Sequence, residues 1–339
     1  MRAFAVPSEP IPQAEPVAPP LPRTVVVGGG YWGRNVIRSL ADIGALHGVV
    51  DSKLATAAEL AAAHGGRPLT WEAALADPQI EAVAVATPPI SHFALAQEAL
   101  LAGKHVLVEK PLALGLGEAE ELVRLADSKG LQLGVGHQLQ YHPAYLELRR
   151  LVRDGAFGRL RHIAASRLNF GKVCQHEDAL WALGPHDISM ILGLSGEEPA
   201  EVRANGHAFL QPGISDVVSL DLRFASGLTA TIRLSWAHPF KEQRLVIVGD
   251  DMMAVFDDVA PWPEKLVLYS HRVDWTEAGP VEVRGAPEPV TLEPCEPLKE
   301  ECRHMLERIR AGERPRTDGH EGLRVLAVIE RASAALASG

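Results

Sequence analysis

The chain has 339 residues, 47% of them hydrophobic and 22% charged, with a formal net charge of −10. This is globular composition of a length for about two domains, and the negative balance disfavours nucleic acid and anionic membrane as partners. No stretch reaches the about 20 consecutive apolar residues of a membrane span, and three scattered cysteines, Cys174, Cys295 and Cys302, form no CxxC pair. That pattern argues against a disulfide framework or a metal cluster and fits a reducing cytoplasm.

Residues 1–22 carry seven prolines and no basic stretch followed by an apolar run. They read as an extended tail of polyproline character rather than a signal peptide. From Thr24 the pattern changes. Val25 to Val27 is a β-branched run that ends in Gly28-Gly29-Gly30. A helical stretch follows with Val36, Ile37, Leu40 and Ala41 on one side, and then a second apolar run, Leu46 to Val50, closed by Asp51. This order is a βαβ unit. Ala55 to Ala63 reads as helix, and Glu81 to Thr87 as a strand stopped by Pro88-Pro89. Ser91 can cap a helix to Leu101, and His105 to Glu109 reads as a strand stopped by Pro111. Glu118 to Lys129 is a helix ended by Gly130, and Leu131 to Gly136 is a further strand. Residues 23–142 therefore predict a doubly wound α/β Rossmann domain with a parallel sheet.

The remainder, 143–339, opens with a helix from Ala144 to Arg153 and then changes character. Val218, Leu220, Leu222 and Phe224 alternate with polar residues, and after Ala225-Ser226-Gly227 the alternation resumes through Leu228, Ala230, Ile232, Leu234 and Trp236. Period-2 patterning across a turn predicts an antiparallel hairpin with one apolar face. Leu245 to Val248, Met252 to Phe256 and Leu266 to Tyr269 add shorter strands. Two helices close the chain, the first with Cys302, Met305, Leu306 and Ile309 on one face and the second from Gly322 to about Ala335. The second half is thus α+β.

Gly28-x-Gly30-x-x-Gly33 sits between strand and helix, with Asp51 at the end of the next strand. The glycines allow a tight turn, close approach of backbone to pyrophosphate and close helix–strand packing. Tyr31 opens the helix. Asp51 would accept hydrogen bonds from ribose hydroxyls and repel a 2′-phosphate, which favours NAD over NADP, although Lys53 softens that preference. Thr87 and Pro88 end a strand on the same carboxyl edge, where ligands of such sheets gather. Glu109-Lys110-Pro111 ends the following strand there too. Proline fixes φ and removes a donor, which aims Lys110 into the cleft; a partly desolvated lysine can hydrogen-bond a substrate hydroxyl. Glu109 would hold Lys110 or meet the nicotinamide ribose.

Ala86-Thr87-Pro88-Pro89-x-x-His92, the run Ala102 to Leu112 containing Glu109-Lys110-Pro111, Gly136-His137, Tyr141-His142-Pro143-Ala144, Pro185-His186-Asp187-Ile188 and Arg314 to Gly319 together resemble the Gfo/Idh/MocA oxidoreductases. The resemblance implies a C-terminal domain with a large open, mainly antiparallel sheet, homodimers or homotetramers built on that sheet, and a substrate pocket between the domains. It implies that His186 is the acid/base beside Lys110, and that His92 belongs to the cofactor turn. One departure is Ala182, where many relatives carry Asp four residues before the histidine. Arg167 and Asn169 are candidate substrate contacts, with a surface strand role as the alternative. Asp187 is a candidate substrate contact that would compensate for Ala182, although i and i+1 on a helix do not face together, and His176, His137 and Tyr141 are weaker cleft candidates. The substrate implied is a sugar, and by likeness to UDP-N-acetylglucosamine 3-dehydrogenases a nucleotide-sugar oxidised at its 3-position. Inositol or free-sugar dehydrogenases and deoxysugar ketoreductases are the alternatives within the class, and a non-catalytic NAD(H)-binding regulator the alternative outside it.

Overall fold

The computed structural model describes residues 20–171 and 173–338. The proline-rich tail therefore lies outside the described residues, apart from Pro20, Leu21 and Pro22. The elements, in chain order, begin with β1 (Thr24–Val27), α1 (Tyr31–Asp42), β2 (Leu46–Val50), α2 (Leu54–His64), β3 (Arg67–Pro68), α3 (Trp71–Ala76), β4 (Ala82–Val85), α4 (His92–Leu101), β5 (His105–Val108), α5 (Leu116–Lys129) and β6 (Leu133–Val135). They form one parallel sheet ordered β3-β2-β1-β4-β5-β6.

The valine runs explain this layer. Val25 and Val27 of β1 face one apolar core, shared with Leu100 and Leu122, while Val26 faces another, shared with Ile37 and Leu60. A strand covered by helices on both sides needs apolar residues at every position, and all four residues of β1 are buried. Gly28 follows with φ +102°, and a Cβ there would lie 2.7 Å from the Ala86 carbonyl oxygen. Only glycine takes that turn without strain.

The second half comprises α6 (Pro143–Arg153), β7 (Leu160–Phe170), α7 (Ala179–Ser195), β8 (Pro199–His207), β9 (Val217–Phe224), β10 (Thr229–Ser235), β11 (Ala237–Gly249), β12 (Met253–Asp257), β13 (Leu266–Tyr269), β14 (Arg272–Thr276), β15 (Gly279–Val283), β16 (Pro287–Pro289), α8 (Pro297–Ala311) and α9 (Gly319–Ser338). Eight strands make a sheet ordered β16-β13-β12-β11-β7-β10-β9-β8, antiparallel except for the parallel pair β7 and β10. The expected hairpin is β9 and β10, with Leu222 opposite Ala230 and Leu220 opposite Ile232. Its apolar face packs with Ile163, Leu180, Ile188 and Ile191 in a third core beneath α7. β14 and β15 form a separate hairpin.

The last two helices return to the first domain. Leu298, Cys302 and Leu306 of α8 join the core behind α1, and Leu326 of α9 joins the core beside α5. A bridge between Gly134 and Asp318 fixes this return at the edge strand β6. Among the described residues no helix is long and apolar enough to cross a membrane.

Candidate active site

The glycine fingerprint opens α1 at the carboxyl edge of the sheet. Gly30 is its N-cap, with no side-chain cap and no acid in the first turn, so its leading amides are left to a ligand. A Cβ on Gly30 would meet nothing within 4 Å, whereas one on Gly33 would collide with the Gly28 carbonyl oxygen. The two glycines thus do different work, one leaving room and one permitting contact. Asp51 accepts hydrogen bonds of 2.8 Å from the amides of both Gly29 and Lys53. These ties hold its carboxylate at the wall of a cavity of about 990 Å³, which Gly28, Gly30, Tyr31, Thr87 and Pro88 also line. Open amides at a helix start beside a fixed carboxylate fit a dinucleotide with a free 2′-hydroxyl.

A second cavity, of about 600 Å³, adjoins the first through Trp32, Ala86 and Thr87, which line both. Lys110, His186, Glu109, Arg167, Glu177 and Lys241 line it. Lys110 enters from the turn after β5, across a cis Lys110–Pro111 bond, and its ammonium donates a 2.7 Å hydrogen bond to the Ala182 carbonyl. Burial lowers its pKa, opposed first by Glu177 and then by Glu109. His186 enters from α7, directly after Pro185, which lies inside the helix. Proline has no amide hydrogen, so this turn lacks one helical bond. The His186 Nδ1 is buried with no hydrogen-bond partner among the described residues. Burial, then the Arg167 guanidinium and the Lys110 ammonium, hold its imidazole well below the usual range. It is therefore neutral and able to accept a proton at ordinary pH. Glu109 accepts from the Trp32 indole N–H, and burial pushes its carboxyl up to about 7.

The other expected residues separate. Arg167 lines the cavity, but its Nε and Nη2 bind both oxygens of Asp187 at 2.7 and 3.1 Å. Asp187, expected as a substrate contact, is buried and spent on that pair; a side chain one position along the helix from His186 points elsewhere. Tyr141 is no cleft residue. It is buried, its hydroxyl is 3.0 Å from that of Thr317, and Arg316 lies over its ring. Asn169 is absent from the cavity wall and lies beside Gly171, with its Oδ1 unpartnered among the described residues. His176 lines a neighbouring chamber instead. His137 is buried against Glu321 at 2.6 Å. His92 does not line the cofactor cavity. Its ring nitrogens lie 2.7 Å from the Pro111 carbonyl and 2.9 Å from that of Thr87, so it ties the turns after β4 and β5 together.

Sequence reasoning missed Trp32, Glu177, Lys241 and Gln243. The last two share one side of β11, whose expected extent began only at Leu245, and an i, i+2 pair in a longer strand is the signal that would have found them. For Glu177, in the loop before α7, the sequence holds no such signal.

The profile for the oxidoreductase family with an NAD-binding Rossmann fold matches residues 22–137, and that for the GFO/IDH/MocA C-terminal domain matches residues 145–255. UDP-N-acetylglucosamine 3-dehydrogenase from Acidithiobacillus ferrooxidans is 34% identical over 307 residues, covering 90% of this chain and 94% of that protein. A solved structure of that enzyme superposes with a TM-score of 0.82 at 31% identity, covering 93% of this chain and 98% of the other. The 1,5-anhydro-D-fructose reductase from Ensifer adhaerens is 30% identical over 246 residues, which are 66% of this chain and 73% of that one.

Proposed function

The chain belongs to the GFO/IDH/MocA oxidoreductases, and from that premise we propose that it oxidises, with NAD, the 3-hydroxyl of a sugar carried on a nucleotide. The observation that carries the reading is that Lys110 and His186, from different domains, line one cavity contiguous with the glycine fingerprint. NAD, when bound by Gly28, Gly30, Asp51 and Thr87, supplies the acceptor for the hydride. The neutral His186 imidazole takes the hydroxyl proton as the carbon is oxidised, and returns it in the reverse direction. The Lys110 ammonium donates to the same oxygen and stabilises the charge that develops there. Arg167, locked to Asp187, keeps a fixed positive charge beside His186 that favours its neutral form. Asp51 favours NAD over NADP by repelling a 2′-phosphate.

Two features support a nucleotide carrier. Lys241 lines the cavity, is exposed and makes no ion pair among the described residues, which leaves its ammonium for a diphosphate. The Acidithiobacillus relative is named for action on UDP-N-acetylglucosamine. The test is NADH formation across UDP-N-acetylglucosamine, UDP-glucose, free hexoses and inositols, with the product examined by NMR. The expected result is the highest kcat/KM for a UDP-sugar and a 3-keto product. A preference for free sugars or inositols would overturn the nucleotide carrier.

A further inference from the structure

We propose that the chamber beside the catalytic cavity holds the N-acyl group of a 2-acylamino sugar, and that Glu177 accepts its amide N–H. The inference rests on the reading above, in which a ring hydroxyl reacts between Lys110 and His186. The chamber is about 730 Å³ in volume and adjoins the catalytic cavity through Pro89 and Glu177, which line both. The fingerprint cavity meets it only at Pro88.

Most of its wall is apolar and stiff, from Pro88, Pro89 and Pro111 with Leu114, Trp181 and Ile214, while His176, Glu177 and Asp178 make its polar side. Trp181 is fixed by donating its indole N–H to Ser333 at 3.0 Å. At the rim Ile90 is 83% exposed and Leu114 48% exposed, so a ligand's methyl groups would cover apolar surface that now meets water. Lysine and arginine are absent from the described lining, while Glu177 and Asp178 are both there. A diphosphate is therefore directed to the Lys241 side of the catalytic cavity and away from this chamber.

Asp178 is spent as the cap of α7, accepting from the Trp181 amide. Glu177 is different. Its carboxylate makes no hydrogen bond to other described residues, stands where the two cavities meet, and is the strongest attractive charge acting on Lys110. On a hexose ring, carbons 2 and 3 are neighbours. With the 3-hydroxyl at Lys110 and His186, a substituent on carbon 2 has to reach an adjoining wall. An acylamino group presents there a donor for Glu177 and, beyond it, an apolar end for the chamber. The chamber is much larger than an acetyl group, so it accepts longer acyl chains.

The test is calorimetric titration of the NADH-loaded protein with UDP-N-acetylglucosamine, UDP-glucose and UDP-N-butanoylglucosamine. UDP-N-acetylglucosamine is expected to bind at least about tenfold tighter than UDP-glucose, whose 2-hydroxyl reaches Glu177 but leaves the apolar chamber unfilled. The butanoyl analogue should bind at least as tightly as the acetyl one, with up to about fourfold gained per methylene. Leu114→Trp, which fills the chamber from its exposed rim, should abolish the preference for acylamino over hydroxyl. Glu177→Ala should weaken the acylamino sugar by about tenfold, and UDP-glucose comparably, since its 2-hydroxyl donates to the same carboxylate; no loss with either sugar would remove Glu177 from the site. Equal binding of the acetylamino and hydroxyl sugars, or an intact preference in Leu114→Trp, would overturn the proposal. If no UDP-sugar binds, the nucleotide carrier is wrong. Free N-acetylglucosamine against glucose then decides the chamber by the same ratio.

Discussion

The ammonium of Lys110 lies 2.7 Å from the main-chain carbonyl of Ala182, joining the turn after β5 to helix α7 across 72 residues of sequence. Because the anchor is backbone, the lysine is positioned without a side chain at 182. Its loss should affect chemistry far more than cofactor binding. Lys110→Met is expected to lower kcat by about 10³-fold, within the range of a lost acid–base group, while leaving the NADH dissociation constant within about threefold by fluorescence titration. Normal turnover in that variant would remove Lys110 from the proposed chemistry.

A neutral His186 and a charged Lys110 set the pH dependence. His186 is held well below 6.5 by burial and neighbouring cations, and must be unprotonated to accept the hydroxyl proton. Protonation of the imidazole should therefore lower activity in the oxidative direction on a limb below pH 6.5. Lys110 is lowered from 10.5 by burial, so the alkaline limb should lie below that value as the ammonium loses its proton. A profile of kcat/KM against pH with an acid limb at or above 6.5 that persists in Glu109→Gln, which removes the carboxyl raised to about 7, would contradict the buried neutral imidazole.

Arg167 and Asp187 are a buried ion pair, 7% and 1% exposed. Removing one partner strands the other's charge. Asp187→Ala should cost about 3–5 kcal/mol of stability, measured by urea unfolding, and the paired change Arg167→Met with Asp187→Leu should recover most of it. Additive losses in that pair of changes would show that the two side chains are not coupled.

Glu301 on α8 is 1% exposed, and neither of its carboxyl oxygens has a hydrogen-bond partner among the described residues. Burial raises its pKa well above 4.5, helped by the charges of Glu109 and Glu321. The folded protein thus keeps a proton that the unfolded chain releases above pH 4.5, so this group costs stability increasingly as pH rises from there toward its folded pKa. Glu109, raised to about 7, acts in the same direction between 4.5 and 7. Glu301→Leu is expected to stabilise the protein by about 1–3 kcal/mol at pH 8 and by less at pH 5, a range typical of an unsatisfied buried polar group. Thermal melts at the two pH values measure it; a variant no more stable at pH 8 than the parent would mean that the carboxyl has partners in solution.

The sequence by itself determined the layers of this protein and the two ends of its chemistry. Valine runs, period-2 alternation and the glycine turn depend on each residue and its near neighbours, so the parallel sheet, the β9–β10 hairpin and the fingerprint with Asp51 were legible one after another. Lys110 and His186 were legible through family motifs. Tertiary structure alone decided which other side chains meet them. Trp32 reaches Glu109 across 77 positions, Glu177 arrives from a loop without periodicity, and α8 and α9 return to close the first domain. It also turned Tyr141, Asp187 and His92 inward, because a buried hydroxyl, carboxylate or imidazole must find a hydrogen-bond partner, and the partner each found lies far away in sequence or across a turn. Local patterning fixes what each segment is, whereas the pairing of buried polar groups depends on how distant segments pack.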